Sequence, residues 1–181
     1  MAAQRAMSRV GPGELTLAQI AEEAGVTAGL LVQRFGSKRE LLLALAERFS
    51  GGTAEMFAGL RARHRSALAT LRAYSDCMAH LASSPAALAR NFAYLQIDLT
   101  DADFRKHLAK QALATRAELQ QLVRDAIDAG DLSSSANPKQ LARTVEAVVN
   151  GSMLSWAFYQ EGTAAKWMRQ DLDAVLKPYL R

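Results

Sequence analysis

The chain has one cysteine, Cys77, in 181 residues. An internal disulfide is thereby excluded, the fold must be held by its apolar core, and a reducing cytoplasmic setting is expected. Proline is scarce as well, at four residues. With so few helix breakers and an abundance of Ala, Leu and Arg, the composition predicts an all-α bundle. No apolar run approaches the roughly eighteen residues that a bilayer span requires, and the first residues lack the apolar stretch of an export signal, so neither a membrane nor secretion is expected. Histidines are few and scattered. His64, His80 and His107 have no cysteine or carboxylate at ligand spacing, which favours structural roles over metal coordination. Neither GxGxxG nor GxxxxGK(S/T) occurs, and Cys77 has no evident base partner. A catalytic centre, a metal and a cofactor are therefore not expected, and the chain does not read as an enzyme.

The length suits one large or two small domains with a sizeable core. Net charge is +4 and the isoelectric point about 9.5, which is compatible with a nucleic-acid partner without being diagnostic of one. Residues 1–52 carry six Lys/Arg against five Asp/Glu, a net of +1 that leaves +3 for the remainder. Any grip on phosphate then depends on where single cations stand, not on bulk charge.

Residues 15–42, LTLAQIAEEAGVTAGLLVQRFGSKRELL, are the most informative stretch. Thr16 and Gln19 form a T-x-x-Q capping box, in which each side chain satisfies a free backbone N–H at a helix start. Leu17, Ile20, Ala21 and Ala24 then share one face, with Glu22 and Glu23 on the other. Gly25 ends this helix by tolerating the left-handed conformation, and Val26 is expected to plug the angle to the next one. Thr27 caps a second helix running to about Phe35. Leu31 and Phe35 are its expected core positions, while Ala28, Gly29, Val32 and Gln33 make an opposite side of small or uncharged residues, as a surface pressed against bases requires. Ser37 and Glu40 form a second box, S-x-x-E, that sets Lys38 and Arg39 in the first turn of a third helix. Cations there oppose the helix dipole, a placement that a nearby phosphate would offset. From Ala24 to Arg39 there are sixteen residues without an acid. Two short helices, a glycine turn and a basic exit follow helix-turn-helix order and predict DNA binding; a plain hairpin in a larger bundle would need neither the two boxes nor the acid-free run.

These residues resemble the TetR family of one-component bacterial transcriptional regulators. The family's usual run, G-V-S/T-x-G-x-L-Y-x-H-F-x-S-K-x-x-L, is met by Gly25, Val26, Thr27, Gly29, Leu31, Phe35, Ser37, Lys38 and Leu41. It is departed from at Val32 and Arg34, where tyrosine and histidine are usual. The resemblance implies that Thr27, Ala28, Gly29, Leu30, Val32, Gln33, Arg34 and Lys38 face DNA. Gln33 is the best base reader, since its amide can pair with adenine, while Leu30 or Val32 can touch a thymine methyl. Arg34 keeps a phosphate contact, whereas Val32 lacks a hydroxyl and weakens docking. Members of the family usually have a complete first helix behind a short basic arm. Here about ten residues precede Gly11-Pro12-Gly13, and Ala3, Met7 and Val10 fit one face as the tail of a shortened first helix, so weak DNA binding is expected.

After a helix-turn-helix domain over 1–50, residues 51–181 read as a larger helical domain with breaks near Ser83-Ser84-Pro85, Thr100-Asp101, Gly130 to Pro138, and Gly162. The expected helices are 37–50, 54–64, 66–82, 86–97, 101–129, 139–160 and 164–179, with Asp101 as an N-cap and Gly130 as a stop. The last two carry apolar stripes: Leu141, Val145, Val148, Ser152 and Trp156, then Met168, Leu172, Val175, Leu176 and Tyr179. Either these form an intramolecular core or, as the resemblance favours, they meet a two-fold mate in a four-helix bundle, with Gly151, Ser152 and Ser155 allowing close approach. Tyr74, Cys77, Met78, Leu81, Phe92, Leu95, Gln96, Trp156 and Tyr159 are scattered through this domain. Such side chains usually fill bundles. The resemblance nevertheless implies a small-molecule pocket, for which Tyr74, Met78, Phe92, Gln96 and Trp156 are the candidates and an apolar or aromatic effector the expected ligand.

The sequence thus reads as an all-α, cytoplasmic homodimer that binds a double-stranded DNA operator and represses until an effector arrives. Its rivals are a similar ligand-binding or scaffolding dimer with weak or lost DNA binding and, less well supported, a small helical enzyme.

Overall fold

In the computed structural model, which describes residues 2–181, short polar side chains mark where most helices begin. The helices are α1 Ala2–Arg9, α2 Leu17–Ala24, α3 Ala28–Phe35, α4 Lys38–Gly51, α5 Thr53–Arg63, α6 Ala67–Ala79, α7 Pro85–Thr100, α8 Ala102–Asp128, α9 Pro138–Tyr159 and α10 Ala164–Leu176. Ser66, Ser84, Asn137 and Thr163 each accept the backbone N–H three residues on, at 3.0–3.2 Å, and so open α6, α7, α9 and α10. Asp101 opens α8 by accepting the Asp103 N–H at 2.9 Å. At the far end of that helix Gly130 takes a φ of +80°, a conformation costly for any residue with a Cβ. The expected helix over 66–82 is α-helical only to Ala79 and closes in a 3-10 turn, His80–Ala82. The last helix likewise tightens into a 3-10 turn at Lys177–Tyr179, where Pro178 has no N–H to continue the ladder. Among the described residues there is no strand, only an isolated bridge between Leu132 and Leu180. None of the described helices is long and apolar enough to cross a membrane.

The chain divides into two compact units. The first joins Met1–Gly51 to Ala89–Gln111, so part of α7 and of α8 belongs with the helix-turn-helix. Its core gathers Ala3, Ala6, Leu15, Ile20, Ala21, Leu31, Leu41, Leu42 and Phe104. The short first helix is therefore a packed element: Ala3 and Ala6 are buried, Met7 and Val10 lie against the core, and Arg5 and Arg9 both pair with Glu23 of α2. The Tyr94 hydroxyl donates to the Val10 carbonyl at 3.1 Å. Two expectations fail locally. Ala24 ends α2 exposed, outside the stripe begun by Leu17, and Val26 stays 37% exposed instead of plugging the inter-helix angle.

The second unit, Gly52–Leu88 with Ala112–Arg181, is built around α9. Leu141, Val145, Ser152 and Trp156 on α9, and Met168, Leu172 and Leu176 on α10, are buried within this one chain. Of the two readings of these stripes, these seven residues answer to the intramolecular core, because α9 lays that face against α10 and α6, while Val148, Val175 and Tyr179 are half-buried. Polar ties hold the same packing: Ser152 Oγ donates to Asp171 at 2.6 Å, Arg72 pairs with Asp173 at 2.8 Å, and Arg169 pairs with Asp76. What α9 leaves outside is a neighbouring row, Ala147, Gly151, Leu154 and Phe158, the last 72% exposed.

Candidate nucleic-acid interface

The turn between α2 and α3 is built by the local chemistry anticipated for it. Thr16 Oγ1 accepts the Gln19 N–H at 3.2 Å and Gln19 Oε1 accepts the Thr16 N–H at 2.9 Å, closing the capping box. Gly25 sits at φ +67°, and the Gly25 and Val26 N–H groups return to the Ala21 and Glu22 carbonyls, which satisfies the end of α2. Thr27 Oγ1 then accepts the Leu30 N–H at 3.2 Å and starts α3. The second box is half made. Ser37 Oγ accepts the Glu40 N–H at 3.1 Å, but the Glu40 carboxylate is taken by Arg39.

Leu31 is buried and Phe35 packs beside it, fixing which side of α3 faces inward. Gly29, Leu30, Val32, Gln33 and Arg34 are all exposed, Leu30 and Val32 by nearly half. Two exposed aliphatics on an eight-residue helix are costly in water and make sense against a partner surface. Ala28 departs from the expected arrangement, being half-buried against the core. It precedes Phe35 by seven residues, about two helical turns, and so shares the face of Phe35 and not that of Gln33.

The cations divide into free and committed ones. Arg34 is exposed, with its guanidinium 5.5 Å above the Phe35 ring. Lys38 is half-buried, and its ammonium donates to the Pro12 and Leu15 carbonyls at 3.1 and 2.9 Å. One of its three N–H donors remains for anything else. Arg39 is clamped by Asp101, Asp103 and Glu40, at 2.8, 2.7 and 3.1 Å. Those hydrogen bonds raise its pKa above the ordinary arginine range and hold the Asp101 carboxyl below the usual carboxylate range. Arg39 is thereby withdrawn from phosphate, and the α3 face relies on Arg34, the helix N-terminus and one Lys38 donor.

Residues 1–45 match the sequence profile of bacterial regulatory proteins of the tetR family, and residues 69–172 match that of the tetracyclin repressor-like C-terminal domain. The chain belongs to the TetR family. Its fold as a DNA-binding transcription regulator is shared with solved structures along nearly its whole length. A TetR regulator from Haloarcula marismortui is 16% identical with a TM-score of 0.79, the match covering 99% of this chain and 95% of that one. For a TetR-family regulator from Rhodococcus the values are 22% and 0.70, covering 97% and 94%. SmeT, repressor of the Stenotrophomonas maltophilia multidrug efflux pump SmeDEF, gives 24% and 0.68, covering 99% and 87%. At these identities the likeness speaks for fold. No curated sequence matches significantly.

The residues anticipated for an effector are not gathered in one place. Tyr74, Met78 and Trp156 lie in the second unit of this TetR-family chain, whereas Phe92 and Gln96 lie in the first and are exposed. Tyr74 is buried and stacks on Phe57 with ring centroids 5.2 Å apart. Burial, with Glu146 and Cys77 nearby, raises its pKa above the ordinary tyrosine range. Trp156 donates its ring N–H to the Gly162 carbonyl at 3.2 Å and lines a cleft with Asp76, Ala79 and His80. Sequence reasoning missed a cavity of about 90 Å³ in the first unit, among α1, α4, α7 and α8, with Leu45, Phe49, Ile97, Asp98, Phe104 and His107 in its lining. The available signal was an acid beside an apolar helix face, Asp98 directly after Ile97 and one turn after Tyr94.

Proposed function

We propose that this regulator is a ligand-responsive repressor that binds a palindromic operator as a cytoplasmic homodimer, with residues 1–50 as its DNA-binding domain and 51–181 as its effector and dimerisation domain. The carrying observation is the outward side of α3: a capped N-terminus, Gly29 and Gln33 opposite the core, exposed Leu30 and Val32, and an exposed Arg34 with no carboxylate partner among the described residues. Backbone N–H groups and Arg34 take phosphate, Gln33 reads adenine, and the two aliphatics touch thymine methyls. Thr27, Gly29 and Lys38 complete the contact surface, with Ala28 at its inner margin.

A reader of this size needs two half-sites about one DNA turn apart, hence a dimer. The row Ala147, Gly151, Leu154 and Phe158 supports that reading, since it offers an exposed apolar seam with a glycine for close approach. Repression and induction are suggested by SmeT, a repressor also solved with triclosan, and by FadR of Bacillus subtilis, solved with stearoyl-CoA, which favours an apolar or aromatic effector. The Tyr74 hydroxyl would supply a polar contact to such a ligand, with Met78 and Trp156 in the same unit. Induction then lowers operator affinity by a coupling energy of about 1–3 kcal/mol.

The rival reading, a ligand-binding or scaffolding dimer with weak or lost DNA binding, draws on the commitment of Lys38 and Arg39 to intramolecular partners. Selection from random duplexes, followed by salt-dependent gel shifts, separates the two. A recovered palindrome whose binding weakens as salt rises supports the repressor. No enrichment and no shift would sink it in favour of the scaffold.

A further inference from the structure

We infer that the first unit has a small-molecule site of its own, the cavity among α1, α4, α7 and α8, and that it takes an organic ammonium carried on a single apolar ring. The site is separate from the effector position proposed at Tyr74, Met78 and Trp156 in the second unit. Its walls are Leu42, Leu45 and Phe49 of α4, Ile97 of α7, and Phe104 and Leu108 of α8. The volume of about 90 Å³ compares with the roughly 150 Å³ of an apolar cavity that takes benzene, and an open side gives further reach.

Asp98 decides the ligand's charge. Its carboxyl lines this apolar space half-buried and makes no hydrogen bond or ion pair among the described residues. The unit's other two half-buried carboxylates each have an arginine: Glu23 has Arg5 and Arg9, and Asp101 has Arg39. Burial alone pushes the Asp98 carboxyl above its ordinary range, the mark of a charge held without compensation. His107 is the other titratable group in the lining besides Tyr94, whose hydroxyl is already spent on Val10. An anionic ligand would meet the Asp98 carboxylate, and the lining holds no lysine or arginine to offset it. A neutral one would leave the carboxylate unpaired. An ammonium pairs with Asp98, while its ring lies against Leu45, Phe49 and Phe104, where the aromatic faces add cation–π attraction.

The position also gives the site a route to α3. Helix α4 forms one wall, and it starts at Lys38, just after the Gly36 that ends α3. That consequence rests on the proposed repressor function; the binding site does not.

Calorimetry on the full chain with three probes of one shape tests the inference: 2-phenylethylammonium, 2-phenylethanol and phenylacetate. For about nine non-hydrogen atoms, micromolar-to-millimolar dissociation constants are in range. The expected order on the unaltered protein is ammonium at least about tenfold tighter than alcohol, with phenylacetate not binding. Asp98→Asn, which keeps the side-chain shape, should bring the ammonium down to the level of the alcohol, and Ala46→Met, which fills the cavity, should abolish both. Equal binding of ammonium and alcohol to the unaltered protein, no ammonium binding at millimolar concentration, or an Asp98→Asn protein that binds the ammonium undiminished would each overturn it. Because the readout is ligand binding, a chain that never engages DNA leaves these outcomes unchanged.

Discussion

Replacing Lys38 by methionine keeps the aliphatic stem and deletes the ammonium that bridges the Pro12 and Leu15 carbonyls. Two charge-assisted bonds are lost and two carbonyls at the entry to α2 lose a donor. Such bonds contribute about 1.5–3 kcal/mol each when buried, and partial exposure of this site brings the pair to about 2 kcal/mol. Both tryptophans, Trp156 and Trp167, belong to the second unit, so tryptophan emission would be blind to the loss. Amide hydrogen exchange resolved by peptide is the suitable assay. Protection across residues 11–16 and 38–42 should fall about thirtyfold, the equivalent of that energy, with the second unit unaffected. The parallel variant Arg34→Ala should leave exchange unchanged and weaken DNA binding on all sequences. If Lys38→Met left exchange intact and lowered only DNA affinity, the ammonium would be a phosphate ligand and its anchoring role would be refuted.

Gln33→Ala should relax preference at one base position of the selected operator while leaving affinity for other positions in place; equal losses on every sequence would contradict base reading by this residue. Phe158→Asp and Gly151→Glu should shift the protein to monomer in sedimentation and raise the concentration needed for a gel shift, whereas Tyr74→Phe should leave its mass unchanged. Glu23 and Asp101 have pKa values lowered by their arginine partners, so the folded state binds fewer protons than the unfolded one and stability rises with pH through their range. Stabilisation of the first unit is then present above the ordinary carboxylate range and lost as pH falls below about 4, and Arg39→Met should flatten the part due to Asp101 in an acid titration followed by amide exchange. Asp98 has the opposite sign. Its raised pKa means that the folded form resists ionisation, so Asp98→Asn should raise the melting temperature at neutral pH and lose that advantage under acid conditions.

The sequence by itself determined what depends on neighbours within a few residues. Thr16 with Gln19, Gly25 and Thr27 are read correctly because a cap or a left-handed turn is decided by local hydrogen bonding and backbone sterics. The helical order and the TetR likeness follow from the same short range, and each of the seven helices expected from residue 37 onward is found within a few residues of its expected ends. Only the tertiary structure decided the rest. Periodicity shows that Val145 and Met168 are apolar and aligned, but not whether the surface they meet is another helix of the same chain, which is what buries them. Charge counting makes Lys38 and Arg39 equal to Arg34, yet carbonyls 23 and 26 residues away hold the first and carboxylates more than 60 residues away hold the second. The same is true of Asp98, whose burial comes from α4 and α8 closing over it. Burial and ion pairing are properties of through-space neighbours, and the pattern along a strand of sequence fixes a residue's direction on its helix without fixing what stands opposite.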